Sequence, residues 1–149
     1  MIYLQNFHSP FGWIEIVADE EAHLQVHLVR ELKNEVPNAL TMLTSQWLRE
    51  FFAKHEPNWR PPMRFSTPFS QRVSEEVMEI GFGEVASYSE IAKRAGKPKA
   101  ARAVGQVMKK NPYLIIVPCH RVVAKGGLGG YNGGIEIKKK LLEFESENR

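Results

Sequence analysis

Apolar and polar residues alternate along the first thirty positions. "IYLQNF" (2–7), "WIEIVAD" (13–19) and "AHLQVHLV" (22–29) each carry some two-residue alternation, and "HSPFG" (8–12) supplies a turn between the first two. A small antiparallel meander is the simplest arrangement. The period then changes. From Asn38 to His55, Leu40, Leu43, Trp47, Leu48, Phe51 and Phe52 recur at three- and four-residue spacing, which predicts an amphipathic helix covering one face of the meander. "EPNWRPP" (56–62) breaks that pattern, because each proline fixes its backbone angle and removes a hydrogen-bond donor. The break suggests a domain of residues 1–62, with the linker at its end, and a second domain of residues 63–149.

Beyond the break the pattern is mostly helical. In "TPFSQRVSEEVMEI" (67–80), Thr67 can cap and Pro68 suits the first helical position. "GFGEVAS" (81–87) ends that helix and leaves room for a brief extended stretch. "SYSE" (87–90) has capping-box form, with Ser87 as N-cap and Glu90 three residues on, and opens the short helix "YSEIAKRA". Gly96 stops that helix, and Pro98 starts the next, "PKAARAVGQVMKK" (98–110). Two short helices around a glycine turn match a helix-turn-helix, and equally an ordinary helical hairpin. At about 100° per residue, Ala100, Ala101, Val104, Val107 and Met108 share one face, while Lys99, Arg102, Gln106, Lys109 and Lys110 share the other. Small neighbours of Arg102 (Ala100, Ala101, Ala103, Gly105) would let a partner approach the helix backbone, although alanines are also simply good helix formers. "AKGGLGGYNGG" (124–134) reads as a loop with unusual backbone angles or a very close neighbour. A last helix runs from about Ile135 to Glu147. The fold class expected is α+β: a small N-terminal antiparallel β-sheet plus helix, then a mostly helical C-terminal domain with a helix-turn-helix.

At 149 residues the chain can bury a core without disulfide or metal staples. Its single cysteine allows no internal disulfide, and no basic start joined to a long apolar run suggests a leader, so an intracellular setting, cytoplasmic or nucleoid-associated, is expected. Apolar runs such as Leu114 to Val117 fall far short of the roughly 20 residues of a membrane helix, so no membrane partner is expected. The net charge of +3 conceals a sorting of charge. Residues 1–62 hold five Lys/Arg against eight Asp/Glu, whereas residues 91–134 hold nine Lys/Arg and no acid. A one-signed segment of that kind suits a polyanionic partner, nucleic acid first; the alternative is a solvated basic surface.

The lone Cys119 lies inside the basic segment, in "IIVPCHRVV" (115–123). A cysteine is nucleophilic as thiolate, and a nearby cation or base makes the thiolate more available. His120 is adjacent in sequence, but neighbours on a strand point to opposite faces, so a bridging water or a turn would be needed. A histidine acting as base needs an acceptor on its second ring nitrogen. On the last helix Ile137, Leu141, Leu142 and Phe144 mark the apolar face, and Glu145 falls within it. A core-facing carboxylate requires a partner, either a histidine or a lysine or arginine. His23 and His27 share a strand face without a third ligand, and only His8 and His55 remain, so no metal is expected. No phosphate-binding glycine loop follows a strand and opens a helix, so no nucleotide cofactor is expected.

"PCHRVV" (118–123), preceded by "KNP" (110–112) and "AARAVG" (100–105), resembles the O6-alkylguanine-DNA alkyltransferases, the methylated-DNA-protein-cysteine methyltransferases. The resemblance runs from about Pro68 to Glu145; the N-terminal part is similar only in its strand-then-helix pattern. The resemblance implies DNA repair by direct, irreversible transfer of an alkyl group from O6-alkylguanine, and potentially O4-alkylthymine, to Cys119 in a single turnover, without cofactor or metal. His120 would deprotonate Cys119 through a water, Glu145 would hold the other side of the ring, and Asn111 would brace the turn. Tyr88 would protonate guanine N3 as the alkyl group leaves and crowd the DNA backbone.

By the same resemblance, Arg102 would enter the base stack vacated by a flipped nucleotide. Ser87, Ala100, Ala101 and Gly105 would belong to a DNA-binding surface set in the minor groove of double-stranded DNA, with no obligate protein partner. Met108 would line the base pocket, the carbonyls of Cys119 and Val122 would read the guanine amine, and Tyr131 and the Asn132 backbone would border the alkyl group and O6. Asn132 stands where many relatives have serine and Leu114 where many have proline, both beside the alkyl group, which bears on the alkyl sizes accepted. The alternative reading is a helix-turn-helix protein that recognises lesions or sequence without alkyl transfer.

Overall fold

The computed structural model describes residues 1–54 and 56–147. The chain divides into two compact units, Met1–Arg64 and Phe65–Arg149.

The first unit is the expected meander with its helix. Strands β1 (Ile2–Ser9), β2 (Gly12–Asp19) and β3 (Leu24–Val29) pair antiparallel in the order β1-β2-β3, with Ile14 opposite Phe7 and Leu28. Alternation along β2 sends Ile14, Ile16 and Ala18 to one face, all fully buried, and helix α1 (Ala39–Phe52) packs there through Trp47, Leu48 and Phe51. Each of these three side chains contributes about 2 kcal/mol or more of hydrophobic stabilisation. Asn38 and Thr41 close a reciprocal capping box at the start of α1. The expected last residue of the helix, His55, lies outside the described residues. The proline-rich segment after it is packed rather than loose: Pro57 and Pro61 are buried, and the Trp47 indole donates to the Trp59 carbonyl at 2.7 Å. His23 pairs with Asp19 at 2.8 Å and His27 with Glu15 at 3.1 Å, so the two histidines serve different carboxylates.

The second unit holds α2 (Pro68–Met78), α3 (Tyr88–Arg94), α4 (Ala101–Lys109) and α5 (Ile135–Glu147), with two short strands. Thr67 and Ser87 cap α2 and α3 through reciprocal side-chain bonds, as their sequence signatures predict. Gly96 takes a left-handed φ of 81° in the turn between α3 and α4, a conformation that costs other residues a Cβ clash. Helix α4 begins at Ala101, three residues after the expected Pro98. Lys97–Ala100 forms a turn closed by Ala100 N–H to the Lys97 carbonyl at 2.9 Å, and Ala100 offers no side-chain cap that would start the helix earlier. Strand β4 (Ala86–Ser87) pairs parallel with β5 (Val122–Val123), Ala86 beside Val122. That pairing brings the start of α3, and with it Tyr88, next to the segment that carries Cys119. Val73, Val77, Ile91, Val104, Ile116 and Leu141 form the fully buried core beneath.

Candidate active site

Cys119, His120 and Arg121 form a single 3-10 turn rather than part of a strand. Successive side chains in such a turn diverge by about 120°, so Cys119 and His120 need not point to opposite faces. The turn rests on a tightly braced loop. Asn111, buried, accepts from Tyr113 N–H through Oδ1 at 2.9 Å, while its Nδ2 donates to the Val117 carbonyl at 3.0 Å and to Cys119 Sγ at 3.2 Å. Within this loop Ile115 is buried with a φ of 72°. A left-handed β-branched residue costs about 1–2 kcal/mol, which the surrounding bonds and packing offset.

The carboxylate of Glu145 lies beneath the turn with no exposed surface. His120 Nε2 reaches Oε2 at 2.6 Å, Arg121 donates through Nε to Oε1 and through Nη2 to Oε2, both at 2.9 Å, and Gly83 N–H donates to Oε1 at 3.2 Å. A histidine partner and an arginine partner were alternatives for Glu145; both are present, because consecutive residues of one turn reach the two oxygens of one carboxylate. Burial alone would raise the Glu145 carboxyl, but the bonds and charges of His120 and Arg121 hold it down to about 2. A carboxylate accepts only, so His120 Nε2 carries the proton and Nδ1 is the basic nitrogen.

Cys119 is 2% exposed. Burial pushes its thiol up to about 11, against the opposing Asn111 hydrogen bond and Lys138 charge. Lys138, on α5, is itself fully buried; its ammonium donates to the carbonyls of Val122 at 2.6 Å and Gly130 at 2.9 Å and lies 5.8 Å above the Tyr88 ring. Burial lowers Lys138 to about 8, while a negative Cys119 would raise it. The Tyr88 hydroxyl donates to the same Gly130 carbonyl at 3.4 Å. Burial raises the Tyr88 phenol, and the Cys119 charge adds to it. Tyr131 is raised well above its ordinary value chiefly by burial, its hydroxyl is buried with no hydrogen-bond partner among the described residues, and its ring lies 6.3 Å from that of His120.

A cavity of about 660 Å³ opens onto Cys119. Of the residues singled out in the sequence, Tyr88, Ala101, Arg102, Gly105, Met108, Tyr131 and Asn132 line it together with Cys119; Gln106, Lys109 and Gly130 complete the wall. His120, Asn111 and Glu145 are buried and do not line it, although Asn111 bonds the sulfur. Ser87 and Ala100 sit at the N-caps of α3 and α4, outside the lining. Leu114 is buried in a bridge with Val117, and the Val122 carbonyl accepts from Lys138; neither side chain faces the cavity. Among the described residues no three His, Cys, Asp or Glu side chains are grouped to hold a metal, and no helix is long and apolar enough to cross a membrane.

Arg121 and Lys138 escaped the sequence reading. Lys138 was within reach of it, since seven residues before Glu145 is two helical turns, and the wheel that turns Glu145 inward turns Lys138 inward too.

Residues 68–147 match the family model "6-O-methylguanine DNA methyltransferase, DNA binding domain". Methylated-DNA–protein-cysteine methyltransferases of Metallosphaera sedula and Sulfolobus acidocaldarius are each 38% identical to the chain, over 97% and 99% of its length and 94% and 96% of theirs. The crystal structure of the Mycobacterium tuberculosis O6-methylguanine methyltransferase superposes with a TM-score of 0.83 at 33% identity, covering 100% of this chain and 95% of that one. The same protein's complex with DNA gives 0.83 at 34% identity, over 97% and 93%.

Proposed function

The chain belongs to the 6-O-methylguanine DNA methyltransferase family, and on that premise we propose that it repairs DNA directly, moving the alkyl group of O6-alkylguanine onto Cys119. The observation that carries this reading is the sole cysteine buried at a cavity lined also by Tyr88 and Arg102, and followed in the chain by a histidine held by the buried Glu145 carboxylate. A base within a duplex cannot reach a cysteine that is 2% exposed, so the nucleotide has to leave the stack, which costs least when damage has already weakened its pairing. Arg102, exposed on α4 among small residues, would fill the vacated stack from the minor groove. A DNA substrate puts the activity with the chromosome, cytoplasmic or nucleoid-associated.

A thiol held near 11 is ionised in only about one molecule in ten thousand at pH 7, so transfer requires a base at the moment of attack. His120 Nδ1 takes the Cys119 proton through a water, and Glu145 stabilises the imidazolium that forms. Sulfur bonds to the alkyl carbon as the carbon–oxygen bond breaks. The electron pair passes into the purine, and Tyr88 donates its proton to N3; the His120 proton then restores the phenol through solvent. The products are guanine and a thioether. Nothing regenerates the sulfur, so each molecule acts once.

Incubation with a duplex containing O6-methylguanine tests this by intact mass. One methyl is gained by the wild-type chain and none by Cys119→Ala. No gain in the wild type, or an equal gain in the alanine variant, refutes the assignment and leaves a DNA-binding protein without alkyl transfer.

A further inference from the structure

We propose that Arg121 is a positioning residue of the transfer, whose buried charge keeps His120 neutral until Cys119 gives up its proton. The inference rests on the alkyl-transfer reading above. His120, Arg121 and Glu145 have no exposed surface. One carboxylate serves both neighbours: Oε2 accepts from His120 Nε2 at 2.6 Å and from Arg121 Nη2 at 2.9 Å, and Oε1 accepts from Arg121 Nε at 2.9 Å. Arg121 is held in place further by Nη1, which donates to the Ile80 carbonyl at 2.7 Å, and its guanidinium lies 5.8 Å from the centre of the Phe82 ring.

A buried net charge costs far more than a buried balanced set. The guanidinium, always protonated, already balances the Glu145 carboxylate, so the set is neutral only while the imidazole is neutral. Without Arg121 the count reverses. A carboxylate alone beside a histidine is balanced by an imidazolium, and His120 would rest protonated, with no lone pair on Nδ1 to accept the thiol proton. Transfer of that proton leaves the balance untouched, because Cys119 becomes negative as His120 becomes positive. Arg121 thus opposes protonation of His120 by solvent but not by Cys119. The other groups around the pair do not supply this charge. Tyr131, its ring 6.3 Å from that of His120, and Tyr88 are both raised by burial and stay neutral. Lys138 donates to the Val122 and Gly130 carbonyls, and its charge bears on Cys119.

Single-turnover methyl transfer from an O6-methylguanine duplex, followed over a range of pH, locates the acid limb on which His120 becomes protonated. Arg121→Met removes the positive charge, Arg121→Lys keeps it, and Arg121→Met combined with Glu145→Gln removes both charges. A close opposite charge moves a titrating group by about 1–3 pH units. The limb is expected to rise by that amount in Arg121→Met, which lowers the rate on the limb about tenfold or more, and to stay at or below its wild-type position in Arg121→Lys and in the double variant. The proposal is overturned by a limb that does not rise in Arg121→Met, by one that rises as far in either other variant, or by a rate that falls equally at every pH, as loss of a structural ion pair would produce. If Arg121→Met alone does not fold, the same charge is read on the glutamine background, where the limb must lie lower in Glu145→Gln than in the double variant; equal limbs overturn the proposal. A wild-type chain that gains no methyl overturns the alkyl-transfer reading instead. The limb is then read from alkylation of Cys119 by iodoacetamide, which needs the same deprotonation, with the same outcomes for Arg121.

Discussion

Replacing Glu145 by Gln keeps the shape of the side chain and deletes its charge. The wild-type carboxylate receives donors from His120, twice from Arg121, and from Gly83, and a glutamine amide meets that set with an NH2 group of its own. At least one donor then faces another donor, and the buried guanidinium of Arg121 loses its counter-charge. Breaking a buried pair from one side costs about 3–5 kcal/mol, on the order of 10 °C in melting temperature for a chain of this size. Chemistry suffers separately, because His120 loses both its orientation and the anion that stabilises its protonated form; the methyl-transfer rate should fall by about a hundredfold or more.

The same substitution alters acid sensitivity. Glu145 titrates near 2 when folded and 4.5 ordinarily, so it stabilises the fold fully above about pH 4.5, and this stabilisation is lost as pH falls toward 2. In Glu145→Gln that component of acid unfolding disappears, and stability changes less between those pH values. Denaturant unfolding from pH 2 to 7, with single-turnover transfer and duplex affinity measured below the melting temperature, separates the effects. Unfolding stability equal to wild type at pH 7 together with a rate within about threefold of wild type refutes the reasoning; reduced stability with an unchanged rate leaves Glu145 as an ion-pair partner only.

Two further substitutions probe the rim and the DNA surface. Arg102→Ala should slow repair of O6-methylguanine in duplex DNA at least tenfold more than reaction with the free O6-alkylguanine base; equal losses on both substrates remove its role in extrusion. A Cβ at Gly129, where φ is 73°, would lie 2.9 Å from the ring and hydroxyl of Tyr88 and 3.2 Å from the Ala124 amide. Gly129→Ala therefore costs about 1–2 kcal/mol of backbone strain and displaces Tyr88, so transfer should slow about tenfold with duplex affinity retained; an unchanged rate would release Tyr88 from the chemistry.

How much of the site can be read in advance varies residue by residue. The caps at Thr67 and Ser87, the strand-then-helix order and the inward face of α5 are local features, decided by side chains within a few residues of one another, and they are legible in the linear pattern. The start of α4 is not, because Pro98 permits a helix there without requiring one. "PCHRVV" reads as an extended run, yet its middle closes into a 3-10 turn, and the reason lies in Asn111 and the left-handed Ile115 that bend the chain beforehand.

Local pattern is enough for the main strands and helices, the basic segment, the sole sulfur and an inward carboxylate that needs a partner. Which partner it meets is a matter of packing. Pairing of β4 with β5 sets the Cys119 turn beside Tyr88, and packing of α5 delivers Glu145 to His120 and Arg121, and Lys138 to the rim carbonyls. Glu145 also accepts from the Gly83 N–H, 62 positions away in the chain. Periodicity reports which way a side chain faces along its own element; what it meets depends on how elements pack, and that is settled by burial and pairing over the whole unit.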